Sequence, residues 1–451
     1  MSAPEVSAAD GVAPLTHRRV LAIAVPIVLS NMTVPLLGLV DTGVVGQLGA
    51  PEPIGAVGLG AVILTSVYWV FGFLRMGTTG LVAQAHGAGD AAETGAHLLR
   101  ALAIAGIAGL GFIALQLPLF WAAFRLAPAS EAVEALARDY LAIRIWGAPA
   151  TIGLYALTGW LIAVERTRAV LGLQLLQNGL NIALSLGLAI GLGWGVAGVA
   201  WASLVAEFLG FAGALWLARG VLGHALRTAR RSDGPRLWAK DRMARLAQVN
   251  GDIMLRSILL QGCMTSFLFL AAGQGDVALA ANQVLLQFLS LTAYALDGFA
   301  FAAESLVGQA VGARRADRVR RASVMTSTWG LGGAAALGLA FLAGGGLLID
   351  LLTTSLDVRV EARRYLPWLV IAPLVGLTSW MLDGIFIGAT LTREMRVAMV
   401  RSVAIFAFAV VILLPPFGNH GLWAALMILY AARAVTMLRR YPRAEAIASY
   451  A

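Results

Sequence analysis

An uncharged apolar stretch of 21 residues, Val20–Val40 (VLAIAVPIVLSNMTVPLLGLV), most constrains what this chain can fold into. A run of about 20 apolar residues is long enough to cross a bilayer as a helix. Such runs recur, separated by Gly, Pro and charge clusters, and give twelve candidate spans at 17–48, 54–82, 95–123, 134–163, 168–190, 195–218, 244–272, 278–309, 321–349, 362–388, 397–416 and 420–437. Backbone polar groups in lipid must be satisfied within the span, which selects helices. With 59% hydrophobic residues, 13% charged and mean hydropathy +0.80, the 451 residues lie outside soluble-protein composition. The expected fold class is an all-α polytopic membrane protein.

Charge distribution orients it. Of the 33 Lys and Arg, 25 fall in the N-tail, alternate connections and C-tail, five in the opposite connections (Arg125, Arg138, Arg359, Arg363, Arg364) and three within spans (Arg75, Arg144, Arg256). The positive-inside rule then sets both termini in the cytoplasm. The net charge of +9, with clusters such as ARRADRVRR at 313–321, reads as topology and contact with anionic lipid, and not as nucleic-acid binding. Residues 1–16 carry acids and no basic region ahead of an apolar one, so they read as a disordered cytosolic tail and not as a signal peptide. The lone Cys263 rules out an internal disulfide, and neither a cofactor nor a metal cluster is expected.

The most polar stretch, Arg219 to Arg245, divides the chain. The organisation is a first lobe at 17–220, a cytosolic linker at 221–241, a second lobe at 242–440 and a cytosolic tail at 441–451. The lobes repeat at an offset of 225: Gln84-Ala85-His86-Gly87-Ala88 matches Gln309-Ala310-Val311-Gly312-Ala313, Tyr140-Leu141 matches Tyr365-Leu366, and Thr167-Arg168 matches Thr392-Arg393. Six spans per repeat is an even number, so the halves are parallel repeats related by a pseudo-two-fold axis along the membrane normal. The acids do not repeat. Asp41 aligns with Ser266, Asp297 with Gly72, Glu304 with Thr79 and Asp383 with Thr158.

Acids inside apolar spans cost roughly 2.5–3.5 kcal/mol or more at depth and are candidate functional sites by default. Asp41 lies about two turns inside the far end of the first span, which also carries Pro26 and Pro35. A bend at Pro26 would give that helix two shapes for protonation of Asp41 to select. In the fifth span Asn178, Asn181 and Ser185 fall on one helical face, and Ser203 follows in the sixth. With Asp41 they compose an oxygen-rich site for a proton or a small hard cation; the alternative is helix–helix hydrogen bonding. The second half holds Asp252, Asp297, Glu304 and Asp383 against Arg256. Pairing of Arg256 with Asp252 or Asp297 is the expected lock between helices. Glu304 and Asp383, least explained by pairing, are secondary candidates for a cationic substrate or a second proton.

Taken together, LLGLVDTGVVGQLG, GLVAQAHGAGD, the NxxNIxLS pattern and NGDIMLRS followed by TAYALDGFAFAAESLVGQAVGARR resemble the multidrug and toxic compound extrusion (MATE) transporters. LDGIFIGATLTREMR resembles the DNA-damage-inducible protein F (DinF) branch. The resemblance implies a secondary antiporter of the bacterial inner membrane that exports amphipathic, often cationic, compounds in exchange for protons or sodium by alternating access. It also implies that Asp41 is the coupling site of the first lobe, supported by Asn181, Ser185, Ser203 and Tyr140, and that Pro26 is the helix bend. Many relatives carry a second carboxylate where this chain has Ser185, which favours a proton and leaves sodium only weak binding at Asp41. The expected partners are small amphipathic molecules, coupling ions and lipid, and the chain is expected to act as a monomer.

Two other classes compete. A flippase for lipid-linked diphosphates needs several cations in its cavity, and the spans hold three Arg against six or more acids. An intramembrane enzyme would rely on Asp297 and Asp383, since the chain has no HExxH, no GxSxG and no Walker A sequence around its single lysine, Lys240. The expected function is therefore transport and not catalysis.

Overall fold

The computed structural model describes residues 14–127, 129–229 and 237–450. Most of the expected tail at 1–16 and the centre of the linker at 221–241 lie outside the described residues. Twelve long helices account for the rest: α1 His17–Gly46, α2 Pro51–Gly87, α3 Ala91–Ala114, α4 Glu131–Ala163, α5 Thr167–Gly191, α6 Gly195–Ala229, α7 Lys240–Ala272, α8 Asp276–Gly312, α9 Ala316–Leu352, α10 Leu356–Gly388, α11 Thr392–Phe417 and α12 Asn419–Leu438. A short α13, Pro442–Tyr450, occupies the expected C-tail. Twelve transmembrane helices in two six-helix halves is the predicted fold class, and several helices overrun the apolar windows because their polar ends stay helical.

One span differs from expectation. The third, read as 95–123, breaks at Leu115, and Gln116–Leu126 forms a separate helix. Pro118 explains the break, because it offers no N–H to the carbonyl four residues earlier and its ring crowds that carbonyl.

The repeat is written into the backbone. Gly89 (φ +73°) and Arg314 (φ +56°) close the turns after α2 and α8; Glu165 (φ +59°) and Thr390 (φ +53°) close those after α4 and α10. Left-handed backbone at three non-glycine residues costs about 1–2 kcal/mol each, so the turns are held by the helices they join. Gly159 of α4 packs on the carbonyl of Arg75, and Gly384 of α10 packs on that of Ala300, where a Cβ would overlap the oxygen in both cases. Both members of each pair differ by the same 225 residues. The last helices shift by two, with Gly195 (φ +54°) corresponding to Gly418 (φ +53°).

Contacts divide the molecule into two compact units. One comprises Leu29–Thr78 and Ala91–Leu246, the other the described part of Met1–Val28 with Thr79–Asp90 and Ala247–Ala451. α1 is continuous through Pro26 and Pro35, and it passes from one unit to the other at Val28, two residues beyond the buried Pro26. In the unit that holds the second half, the end of α2 meets the end of α8: Gly87 lies against the carbonyl of Gln309, and Gly312 against that of Gln84. Gln84 Nε2 donates to the Gly388 carbonyl at 2.9 Å and to Thr390 Oγ1 at 3.1 Å. A core around Phe267, Trp423 and Tyr430 encloses Asn282, which exchanges amide hydrogen bonds with Asn419 and accepts from Trp423 Nε1 at 2.8 Å.

In the unit that holds the first half, Gly109 of α3 lies on Pro149 of α4. Arg100, fully buried, donates to Glu93 at 2.8 Å and to the Leu237 carbonyl at 2.6 Å, which ties the chain before α7 to α3. Three helices of this unit depart from α geometry: α2 through a 3₁₀ turn at Val70–Gly72, α4 through one at Ile145–Gly147, and α5 through a π turn at Leu186–Gly191. Such interruptions concentrate at functional sites and hinges.

Candidate functional site

Each of those interruptions begins one or two residues after a buried or largely buried polar side chain: Tyr68, Arg144 and Ser185. Arg144 of α4 pairs with Glu207 of α6 through both guanidinium nitrogens, at 2.7 and 2.8 Å, with side-chain exposures of 12% and 13%. Gly147 makes the approach possible, since a Cβ there would stand 2.5 Å from Glu207 Oε2. The turn that follows Arg144 therefore shapes the seat of its partner.

Asp41 faces this pair. Arg144 and Glu207 are the charges that act on its carboxylate, and Tyr140 lies within the influence of Asp41, Arg144 and Glu207. Asp41 Oδ1 is buried and has no hydrogen-bond partner. Tyr140, 2% exposed, stacks its ring on Gly60 of α2, and the buried hydroxyl of Tyr68 is also without a partner.

A second group lies on α5 and α6. Asn178, Asn181 and Ser185 are all buried, as one helical face predicts. Asn181 Nδ2 donates to Ser203 Oγ at 2.8 Å, while Asn181 Oδ1 and Ser185 Oγ have no partner. Asn178 Oδ1 instead accepts from Gln174 at 3.1 Å. Ser203 and Glu207 stand one turn apart on α6, which joins the two groups. No hydrogen bond runs from Asp41 to Asn181, Ser185 or Ser203 among the described residues. Buried polar atoms without partners are rare in folded proteins, and besides atoms of the Arg144–Glu207 pair itself four of them, Asp41 Oδ1, the Tyr68 hydroxyl, Asn181 Oδ1 and Ser185 Oγ, fall in this one region of the unit.

The second half is arranged differently. Asp383 Oδ2 accepts from Arg433 Nη2 at 2.5 Å and from Arg256 Nη2, with all three side chains buried. This corrects two expectations. Arg256 is bound to Asp383 and not to Asp252, although Asp297 also acts on it electrostatically; Asp252 is taken by Arg396 at 3.0 Å and Thr392 at 3.1 Å. Arg433, which falls in the span expected at 420–437 but is not among the three arginines read as lying within spans, is inside α12 at 1% exposure; Asp383, expected to be among the acids least explained by pairing, takes two arginines on Oδ2, while its Oδ1 has no hydrogen-bond partner. Pro416 and Gly418 end α11 and start α12 early enough to place Arg433 four turns inside the helix, a signal the sequence carried. Neither Asp297 nor Glu304 stands without an interaction. Among the described residues no group of three or more His, Cys, Asp or Glu is poised to hold a metal.

The fold and this site define a class: a helical membrane protein built of two six-helix repeats whose buried acids do not repeat. The MatE profile matches the chain twice, over residues 26–186 and 253–413. The chain belongs to the MatE family. It is 41% identical over 424 residues to the DNA damage-inducible protein F of Escherichia coli (strain K12), covering 92% of this chain and 90% of that one. It is similar in fold to a multidrug resistance MATE family transporter in an outward-facing conformation (TM-score 0.85, 20% identity, 96% of each chain covered). It is likewise similar to the Vibrio cholerae MATE transporter VcmN in the bent form (TM-score 0.84, 18% identity, 95% and 97% covered).

Proposed function

We propose that this chain is a secondary multidrug antiporter of the bacterial inner membrane that exports amphipathic, cationic compounds in exchange for protons by alternating access. Membership of the MatE family and the multidrug resistance named for a structural relative support the transport class. The observation that carries the coupling assignment is Asp41 Oδ1, a buried carboxylate oxygen without a hydrogen-bond partner, beside an arginine and a glutamate that pair with each other. An acceptor in that position gains most from a proton. Asn181, Ser185 and Ser203 add neutral oxygens and no second carboxylate, which suits a proton and leaves sodium weakly held.

In the proposed cycle Asp41 takes a proton from outside, α1 rebends at Pro26, the first-half pocket narrows and the substrate leaves. Return to the inward-open state releases the proton to the cytoplasm, where both termini lie. A charge moved through the full potential yields roughly 2.3 kcal/mol per 100 mV, enough for about a fortyfold gradient of a neutral substrate. The flippase alternative loses ground because Arg144, Arg256 and Arg433 are each committed to a carboxylate.

The test is drug efflux from proteoliposomes under imposed pH or sodium gradients. Efflux driven by a pH gradient without sodium supports the reading. Efflux that requires a sodium gradient and ignores pH contradicts it.

A further inference from the structure

Away from the candidate coupling site, the start of α11 and the end of α12 enclose a cavity of about 350 Å³. Arg393 and Arg401 line it from α11, Arg440 from the turn after α12 and Arg443 from α13, with Val397 and Ala398 as an apolar wall. Arg393, Val397 and Arg401 follow at spacings of four, so one helical face presents both arginines. Arg443 is neutralised by Glu394 at 2.6 Å, and Arg396 turns away to Asp252 at 3.0 Å. Among the described residues no carboxylate pairs with Arg393, Arg401 or Arg440. The cavity thus carries about three uncompensated positive charges.

An ordinary positive rim does not look like this. The basic turn after α8 is partly self-paired, with Arg315 bound to Asp317 at 3.0 Å. The cluster is also foreign to the repeat. The first half keeps Arg168 at the place of Arg393, but Leu176 stands for Arg401 and Leu217 for Arg440. The scaffold does not require these arginines, and their convergence on one concave space with an apolar wall matches an anion that has an apolar continuation. Guanidinium forks pair phosphate oxygens bidentately, and basic pockets between membrane helices on the cytoplasmic side take anionic headgroups.

We propose that this cavity binds a phosphate-bearing anion, with the headgroup of an anionic phospholipid of the inner leaflet as its source. The placement on that leaflet rests on the topology proposed above; the phosphate chemistry does not. The experiment is native mass spectrometry and thermal-shift titration of the purified full chain with phosphatidylglycerol, phosphatidylcholine and inorganic phosphate as separate probes. The comparison is with R401Q/R440Q, checked for monodispersity, and with R168Q as a control arginine from the other half. Phosphatidylglycerol should bind in preference to phosphatidylcholine, and the double variant should weaken it roughly thirtyfold, about fivefold per arginine lost. The control should bind as wild type does. Saturation by inorganic phosphate alone, lost in the double variant, keeps the phosphate site and moves its source to a soluble ion. Equal binding of both lipids, or equal affinity in wild type and R401Q/R440Q, overturns the site. Loss of lipid binding with pH-driven efflux intact would leave the antiport reading standing, so the two fail separately.

Discussion

The two halves share one scaffold and handle their buried acids in opposite ways. In the first, Arg144 and Glu207 pair with each other and Asp41 keeps an oxygen with no hydrogen-bond partner. In the second, Asp383 is gripped through Oδ2 by Arg256 and Arg433, although its Oδ1 too has no hydrogen bond, so the halves differ in whether the acid holds an arginine. The helices follow the same division: α2, α4 and α5 are interrupted by 3₁₀ and π turns beside the polar residues, whereas α8, α10 and α11, their repeat counterparts, run as unbroken α-helix. A carboxylate held by two arginines is a fixed charge. One that no arginine grips, in a locally irregular region, can change its protonation state at lower cost. The difference assigns structure to the second half's triad and coupling to the first half's acid.

The largest effect should come from breaking the triad. D383A leaves two buried guanidinium groups uncompensated and should cost about 3–5 kcal/mol of stability, seen as a large fall in the unfolding temperature in detergent. Replacing the whole triad, R256M/D383L/R433M, should recover most of that loss, because well-packed apolar residues of similar volume commonly match a buried ion cluster. If the triple variant is folded and still exports drug against a pH gradient, Asp383 has no part in coupling; if it is folded and inert, the division between the halves is wrong.

A middle-sized effect is expected at the first half's ion pair. E207Q leaves Arg144 buried without its counter-charge and should destabilise by about 1–3 kcal/mol, and it should also lower efflux because Asp41 then becomes the nearest partner for Arg144. Wild-type efflux by E207Q would show that the pair does not keep Asp41 free. The smallest effect belongs to S203A, which removes the hydrogen bond from Asn181 and should cost about 0.5–1.5 kcal/mol, with efflux slowed and pH-coupling retained.

Much of this was legible in the sequence, for identifiable reasons. Apolar runs gave all twelve spans, and the blocks matched at an offset of 225 lie beside the glycine crossings and left-handed turns that the backbone repeats, because close helix crossings demand particular residues at particular places. Asn181 and Ser203, expected as partners of Asp41 or as a helix–helix hydrogen bond, meet each other at 2.8 Å. The misreadings concern pairing across distant helices. Spacing along one chain cannot say that Arg256 skips Asp252 for Asp383, 127 residues away, or that Arg433 joins them. The break at Leu115 needed only closer weight on Pro118.

The central claim is that Asp41 carries the proton, and the most direct measurement is substrate-evoked proton movement in proteoliposomes, read by a lumenal pH dye, for wild type and D41N. The account predicts that drug addition on one side moves protons the other way in wild type, that D41N moves none, and that D41N unfolds at the wild-type temperature within experimental error. Proton movement of wild-type size in D41N would contradict it.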